Sequence, residues 1–279
     1  MTEKLDPTGI GIPSLHSRVE SWECDFNGHW NARFYARAFQ QAAETLPFLP
    51  GLSSGRPGRL PPTRYLRFHR ELFAGSAVAL RSTLIGGGSY AGAVAHLLIS
   101  EGRLAATALD TGGAAIHGLP VTPAETLRLA QPRGLAGRTD AVWTDGPGTS
   151  LCQTGPIRPA ETDHRGDLLF EEVVRRLAFA THAHVSALGL NQALLTEAGI
   201  SRMAVEARIT RLGTCPAGAP LQVKARLIGV AVKSFIIALM VESPQGQPVA
   251  YAEYSMVTVD LNTRRAVELP EFLLAGFRG

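Results

Sequence analysis

The sequence predicts an α+β chain made of two copies of one unit, each an antiparallel sheet wrapped around one long central helix. Three observations predict it. A short polar pattern recurs at an offset of 138 residues. A long stretch with helical apolar spacing follows each copy. Strand-like segments broken by glycine turns fill the rest of each half. The length of 279 residues suits two domains of about 140 residues each.

The repeat is read first. Residues 20–31 are ESWECDFNGHWN and residues 158–169 are RPAETDHRGDLL. Aligning Asp25 with Asp163 also aligns Gly28 with Gly166, and further on Arg64 with Arg202. A small insertion then shifts the register. ELFAGSAVALRSTLIG (71–86) stands against TCPAGAPLQVKARLIG (214–229), and VAHLLISEGRLAATA (94–108) parallels IIALMVESPQGQPVAYA (236–252).

The first helix is expected from about Trp30 to Leu46, with Phe34, Tyr35, Ala38, Phe39, Ala42, Ala43 and Leu46 on its buried face. Pro47 and Pro50 stop it. The second is expected from about Leu168 to Leu188, with Val173, Val174, Leu177, Ala180 and Val185 inward and Gly189 at its end. The strands need an apolar partner, and the one long helix of each half is the one available. Residues 118–150, rich in Gly, Pro and Ala, read as a linker. The domain reading is therefore 1–120, a linker over 121–150, and 151–279.

Composition excludes several classes. Apolar residues make up 45% and charged residues 18%, enough for a normal core in each half. A net charge of +3 is too mild for a nucleic-acid binder and compatible with an anionic small molecule. No apolar run reaches the ~18 residues of a membrane span, and the start does not read as a signal peptide. Cys24, Cys152 and Cys215 are odd in number and scattered, which points to a reducing cytoplasm.

The most informative residues are Asp25, Phe26, Asn27, Gly28, His29, Trp30 and Asn31, just before the first helix. A carboxylate there can act as a general base on water, or attack a carbonyl directly. Unpaired amides at a helix start, around Gly28, His29 and Trp30, can polarise a carbonyl. Gly28 removes bulk where an acyl group approaches. Asn27 and His29 can hold a water or the carboxylate. The competing reading makes Asp25 a helix cap and His29 a buried, hydrogen-bonded side chain.

The pattern D-x-N-x-H-x-N resembles the motif of the hotdog thioesterases, of both the 4-hydroxybenzoyl-CoA and the acyl-ACP type. Tyr35 matches a tyrosine common in that family, and Ala32 stands where a further Asn is usual. The resemblance implies a double hotdog that hydrolyses an acyl-CoA or acyl-ACP thioester with Asp25 as base or nucleophile. It implies no metal and no cofactor beyond the coenzyme A or carrier protein of the substrate. It also implies an intrachain pseudo-dimer, with further assembly open. Trp30, Asn31, Tyr35, Arg64 and Arg67 are candidate substrate contacts. Arg64, Arg67 and Arg70 otherwise read as a solvated strand face. Trp22 and Phe26 are candidate pocket aromatics, or core.

The second copy departs from the pattern. Asp163 keeps the acid, but Arg165 replaces Asn27 and Asp167 replaces His29, with Glu161 nearby. These four form an altered second site or complete the first, or Asp163 only caps its helix. Other signals are weaker. Gly51-Leu52-Ser53-Ser54-Gly55 lacks the strand and helix of a nucleophile elbow and reads as a mobile loop. Gly86–Gly88 reads as a strand break, and His182 and His184 diverge on a helix. Two rival functions remain: a hotdog hydratase or dehydratase, whose acid–histidine spacing is one residue longer, and a non-catalytic binder of acyl thioesters.

Overall fold

The computed structural model describes residues 6–25, 27–54, 61–135 and 143–278. The chain divides into two compact units, Met1–Arg133 and Gly134–Gly279. The first unit holds β1 (Ile12–Arg18), α1 (Ala32–Thr45), β2 (Ser53–Ser54), β3 (Thr63–Phe68), β4 (Ala77–Gly86), β5 (Val94–Ser100), β6 (Arg103–Thr111), β7 (Ile116–His117) and β8 (Val121–Pro123). Its antiparallel strands lie in the order β1-β4-β5-β6-β3. The second unit holds β9 (Ser150–Pro156), α2 (Phe170–Ala187), α3 (Gln192–Ala198), β10 (Ile200–Arg211), β11 (Pro220–Val230), β12 (Ser234–Glu242), β13 (Pro248–Asp260), β14 (Arg265–Ala266) and α4 (Glu271–Arg278). Its order is β10-β13-β12-β11-β9, the same topology with β9, β11, β12, β13 and β10 in the places of β1, β4, β5, β6 and β3. Each unit is an antiparallel sheet with one long helix, the double hotdog architecture.

The helices sit where the spacing placed them. Asn31 Oδ1 accepts from the Arg33 amide at 3.0 Å and caps α1. A 3₁₀ turn containing Pro47 ends it, because proline has no amide for the next helical bond. Tyr35, Ala38, Phe39, Ala42 and Leu46 are buried as expected. Phe34 and Ala43 are only half-buried. The guanidinium groups of Arg33 and Arg37 lie 5.3 and 4.6 Å from the Phe34 ring, a cation–π arrangement that suits a partly exposed aromatic. In α2, Val173, Val174, Leu177, Ala180 and Val185 are all buried.

β5 is buried at every residue, so both faces of the first sheet are covered. His96 points toward α1, its ring 6.5 Å from that of Phe39. Alternation then turns Ala95, Leu97 and Ile99 to the other face, where they cluster with Leu127 and Ala130. Residues 121–131 therefore belong to the first core, not to a linker. β8 pairs in parallel with β4, and Arg67 donates to the carbonyls of Arg128 and Gln131 at 3.1 and 2.8 Å. The sequence Leu127-x-x-Ala130 supplies the apolar pair that an exposed sheet face requires. In the second unit, Glu206 accepts from the amides of Gly134 and Leu135 at 2.7 and 3.3 Å.

Arg64 overturns the reading of a solvated strand face. It lies opposite Asp110 on β6, 2% exposed, and grips that carboxylate with Nε and Nη2 at 2.6 and 2.7 Å. Burial pushes the Asp110 carboxyl up, but the charge and hydrogen bonds of Arg64, with those of His96, outweigh it and hold it at about 2. Arg64→Met leaves that carboxylate buried without its cation. It is expected to cost about 3–5 kcal/mol, read from urea unfolding at pH 7. The pKa also sets a pH window. A carboxyl depressed in the fold stabilises fully above its ordinary 3.8 and loses that contribution as pH falls toward 2. Acid unfolding of Asp110→Asn should lack a component on the order of 2 kcal/mol in that window.

Candidate functional site

The segment before α1 closes on itself. Cys24 and Trp30 face each other as an isolated antiparallel bridge. Between them the Asp25 amide donates to the His29 carbonyl at 2.8 Å, and the Gly28 amide donates to the Asp25 carbonyl at 2.9 Å. Asp25 Oδ1 accepts from the amides of Asn27 and His29 at 2.9 and 3.1 Å. The half-buried carboxylate is thus pinned through one oxygen, while Oδ2 has no hydrogen-bond partner among the described residues. Phe26 lies outside the described residues.

One expectation changes here. The amides around Gly28, His29 and Trp30 are not bare: they serve Asp25 O, Asp25 Oδ1 and Leu72 O. The helix begins only after this turn, so its dipole and open amides do not lie at residues 28–30. The space beside Gly28 is open, with nothing among the described residues within 4 Å of an added Cβ. Its φ of +77° by itself calls for glycine, because an L side chain is strained there.

A second pair stands beside the turn. His29 pairs as an isolated bridge with Phe73, whose ring meets the imidazole edge-on at 5.2 Å. His29 Nε2 lies 3.4 Å from Glu71 Oε2, with both side chains partly exposed. Asn27 is exposed. The structure places the other first-copy candidates in supporting positions. Trp30 is buried and donates from Nε1 to Glu23 Oε2 at 2.8 Å, and Arg37 pairs with the same carboxylate through Oε1. Asn31 caps α1, and its amide donates to the Glu23 carbonyl at 3.0 Å. Tyr35 is buried against Trp30 and Phe68, and burial pushes its phenol up, so it stays protonated. Trp22 is 75% exposed and so is not core.

The second copy reproduces the turn atom for atom. Asp163 Oδ1 accepts from the amides of Arg165 and Asp167 at 2.8 and 2.9 Å, and Gly166 has a φ of +83°. Glu161 occupies the place of Glu23. It pairs with Arg175 and Arg176 at 2.8 and 2.5 Å, and these bonds hold its carboxyl below the usual range against the opposing effect of burial. Asp167 Oδ2 lies 3.5 Å from Arg211, and the Arg165 side chain is exposed. Glu161 is therefore part of the scaffold rather than an added acid in an open site.

The three arginines near β3 are engaged in the fold. Arg64 is spent on Asp110 and Arg67 on the 128 and 131 carbonyls, while Arg70 donates to Ser100 O at 2.6 Å and pairs with Glu101. A phosphate at Arg64 would have to displace a buried carboxylate, so that candidate contact is withdrawn. Gly51 precedes a two-residue ladder in which Ser53 and Ser54 pair with His117 and Ile116; Gly55 lies outside the described residues. His182 accepts from Arg202 and His184 pairs with Ser150, each at 2.7 Å. Among the described residues, no group of three His, Cys, Asp or Glu side chains can hold a metal, all three cysteines are free, and no helix is long and apolar enough to cross a membrane.

Sequence reasoning missed Glu71, His96 and Asp110. Their signal was contrast between the copies. Glu71 stands opposite Thr214, and His96 interrupts an otherwise apolar run. Their partners follow from the pairing of β3, β4, β5 and β6 for His96 and Asp110, and from the isolated bridge of His29 with Phe73 for Glu71.

Comparison with solved structures gives the same fold. A provisionally described oleoyl thioesterase from Lactobacillus plantarum aligns over 91% of this chain and 99% of its own, with 12% identity and a TM-score of 0.57. An acyl-ACP thioesterase from Bacteroides thetaiotaomicron aligns over 87% and 96%, with 8% identity and a TM-score of 0.52. The 12:0-ACP thioesterase from Umbellularia californica aligns over 88% and 93%, with 10% identity and a TM-score of 0.52. A comparison with curated proteins finds no sequence match. The family model of the thioesterase-like superfamily matches residues 19–115 and 157–277, the greater part of both units, and the chain belongs to that superfamily.

Proposed function

We propose that this chain hydrolyses an acyl thioester, carried on coenzyme A or on an acyl carrier protein, with Asp25 as the general base. One observation carries the reading. Both copies build the carboxylate turn, but among the described residues only the first sets a histidine paired with a glutamate, His29 and Glu71, beside it, while His164 of the second meets Arg165. The shared bonds shape the chain, and the added pair supplies proton chemistry that the shape does not need. The similar structures named above, described as thioesterases, support the same class of substrate.

The step needs little else. Asp25 Oδ2 takes a proton from water while the water oxygen attacks the thioester carbonyl carbon. The tetrahedral intermediate expels the thiolate as the carbon–sulfur bond breaks. The thiolate leaves as thiol with a proton returned from Asp25 or supplied by His29, and the acid is released. Pinning Oδ1 to two amides fixes the orientation of the carboxylate, so no ordering is required at the moment of reaction.

A non-catalytic reading has its own support, because Asp163 makes the same turn with Asp167 in the place of His29, and the histidine of that turn, His164, is exposed and meets Arg165 rather than a carboxylate. One pair of variants separates the two. In Asp25→Asn and in Asp163→Asn the amide oxygen still accepts both backbone bonds, so both fold. Asp25→Asn is expected to lower kcat for thiol release from a panel of acyl-CoAs by about 10²–10⁴-fold, and Asp163→Asn to leave it unchanged. Equal rates in the two variants, or no turnover by the wild type on acyl-CoA and acyl-carrier substrates, would overturn the proposal.

A further inference from the structure

We infer that the cavity at the C-terminal end of α1 is a second binding site, for a small organic ammonium ion, separate from the turn at Asp25. The cavity has a volume of about 280 Å³. Leu46, Val94 and Ile116 form apolar wall, and Glu44, His96 and Asp110 form polar wall. The 14 residues of α1, at roughly 1.5 Å each, put the length of the helix, about 20 Å, between this cavity and the Asp25 turn.

The volume suits a ligand rather than a packing defect. An apolar cavity of roughly 150 Å³ already accepts a benzene-sized molecule. The polar wall is the end of a buried chain of hydrogen bonds. Ser14 Oγ meets Ser82 Oγ at 2.8 Å, Ser82 Oγ meets His96 Nδ1 at 2.7 Å, and His96 Nε2 meets Asp110 Oδ2 at 3.2 Å. Arg64 holds Asp110 from outside the cavity lining.

Such a network is costly to bury, and apolar residues of similar size would do as well or better for stability. The second unit shows this directly. In place of the Ser82–His96 cross-strand pair, three residues before the matching Ile-Gly, it sets Ala225 against Leu239, both fully buried, and builds the same sheet. The fold does not require the network, and the network ends at a cavity.

The sign of charge selects the ligand. Glu44 and Asp110 line the cavity; Arg64 meets the charge of Asp110 at both oxygens, so the negative charge offered to a ligand is that of Glu44, and among the described residues no lysine or arginine lines the cavity. Glu44 already accepts from Gln40 Nε2 at 2.7 Å, which fixes it in place. A cationic donor is drawn to such a wall and an anion is repelled. The aliphatic wall takes the body of the molecule, and Glu44 takes its ammonium head.

The test uses the whole chain and three probes of one shape: benzylamine, benzyl alcohol and benzoate, titrated at pH 7 by calorimetry and protein NMR. Benzylamine is expected to bind, benzyl alcohol more weakly, and benzoate not at all. Glu44→Gln, which keeps an acceptor for Gln40, is expected to weaken benzylamine about tenfold or more. Ala43→Leu, at a half-buried lining position, narrows the cavity and is expected to weaken both benzylamine and benzyl alcohol. Asp25→Asn is expected to leave binding unchanged, which keeps this result apart from the thioesterase reading. Benzoate binding as tightly as benzylamine, benzylamine affinity unmoved in both cavity variants, or no binding at millimolar concentration would overturn the inference.

Discussion

Each unit depends on a carboxylate that closes a five-residue turn before its helix begins. Asp25 and Asp163 each gather two backbone amides on one oxygen, and a glycine at positive φ lets the chain return in time to do so. Just outside, Glu23 and Glu161 tie the turn to the helix through Arg37 and Arg175. The two layers together fix where the helix starts and which face it turns to the sheet. The amides of residues 28–30 are consumed within the turn and by Leu72, and α1 begins only at Ala32, so the turn presents side chains rather than open helix amides.

Duplication makes the two units internal controls for one another. Features present in both, such as the turn, the flanking acid–arginine pair and the strand order, are what the fold needs. Features present in one are candidates for function. By that criterion the first unit carries two additions: His29 with Glu71 beside the turn, and the Ser82–His96–Asp110 chain inside the sheet. They lie toward opposite ends of α1 and involve no common residue, so they are separable in chemistry as well as in space.

The helices and the repeat were legible because they follow from local rules. Apolar spacing over Tyr35–Leu46 and Val173–Val185, a proline stop after Leu46 and the recurring Asp-x-x-Gly do not depend on distant partners. The linker was misread at residues 121–131 because composition alone does not reveal that Leu127 and Ala130 cover the outer face of a sheet. The charged strand residues were misread for a related reason. Alternation assigns Arg64 a face, but which face is wet depends on what packs against it.

What the sequence determined by itself was the duplicated α+β plan, the position of each helix and the segment around Asp25, since all of these are written in short-range patterns. The tertiary structure decided the partners. Glu71 reaches His29 across 42 positions, and Arg64 reaches Asp110 across 46. Long-range pairs are set by strand order and register, which bring together side chains that no local spacing relates.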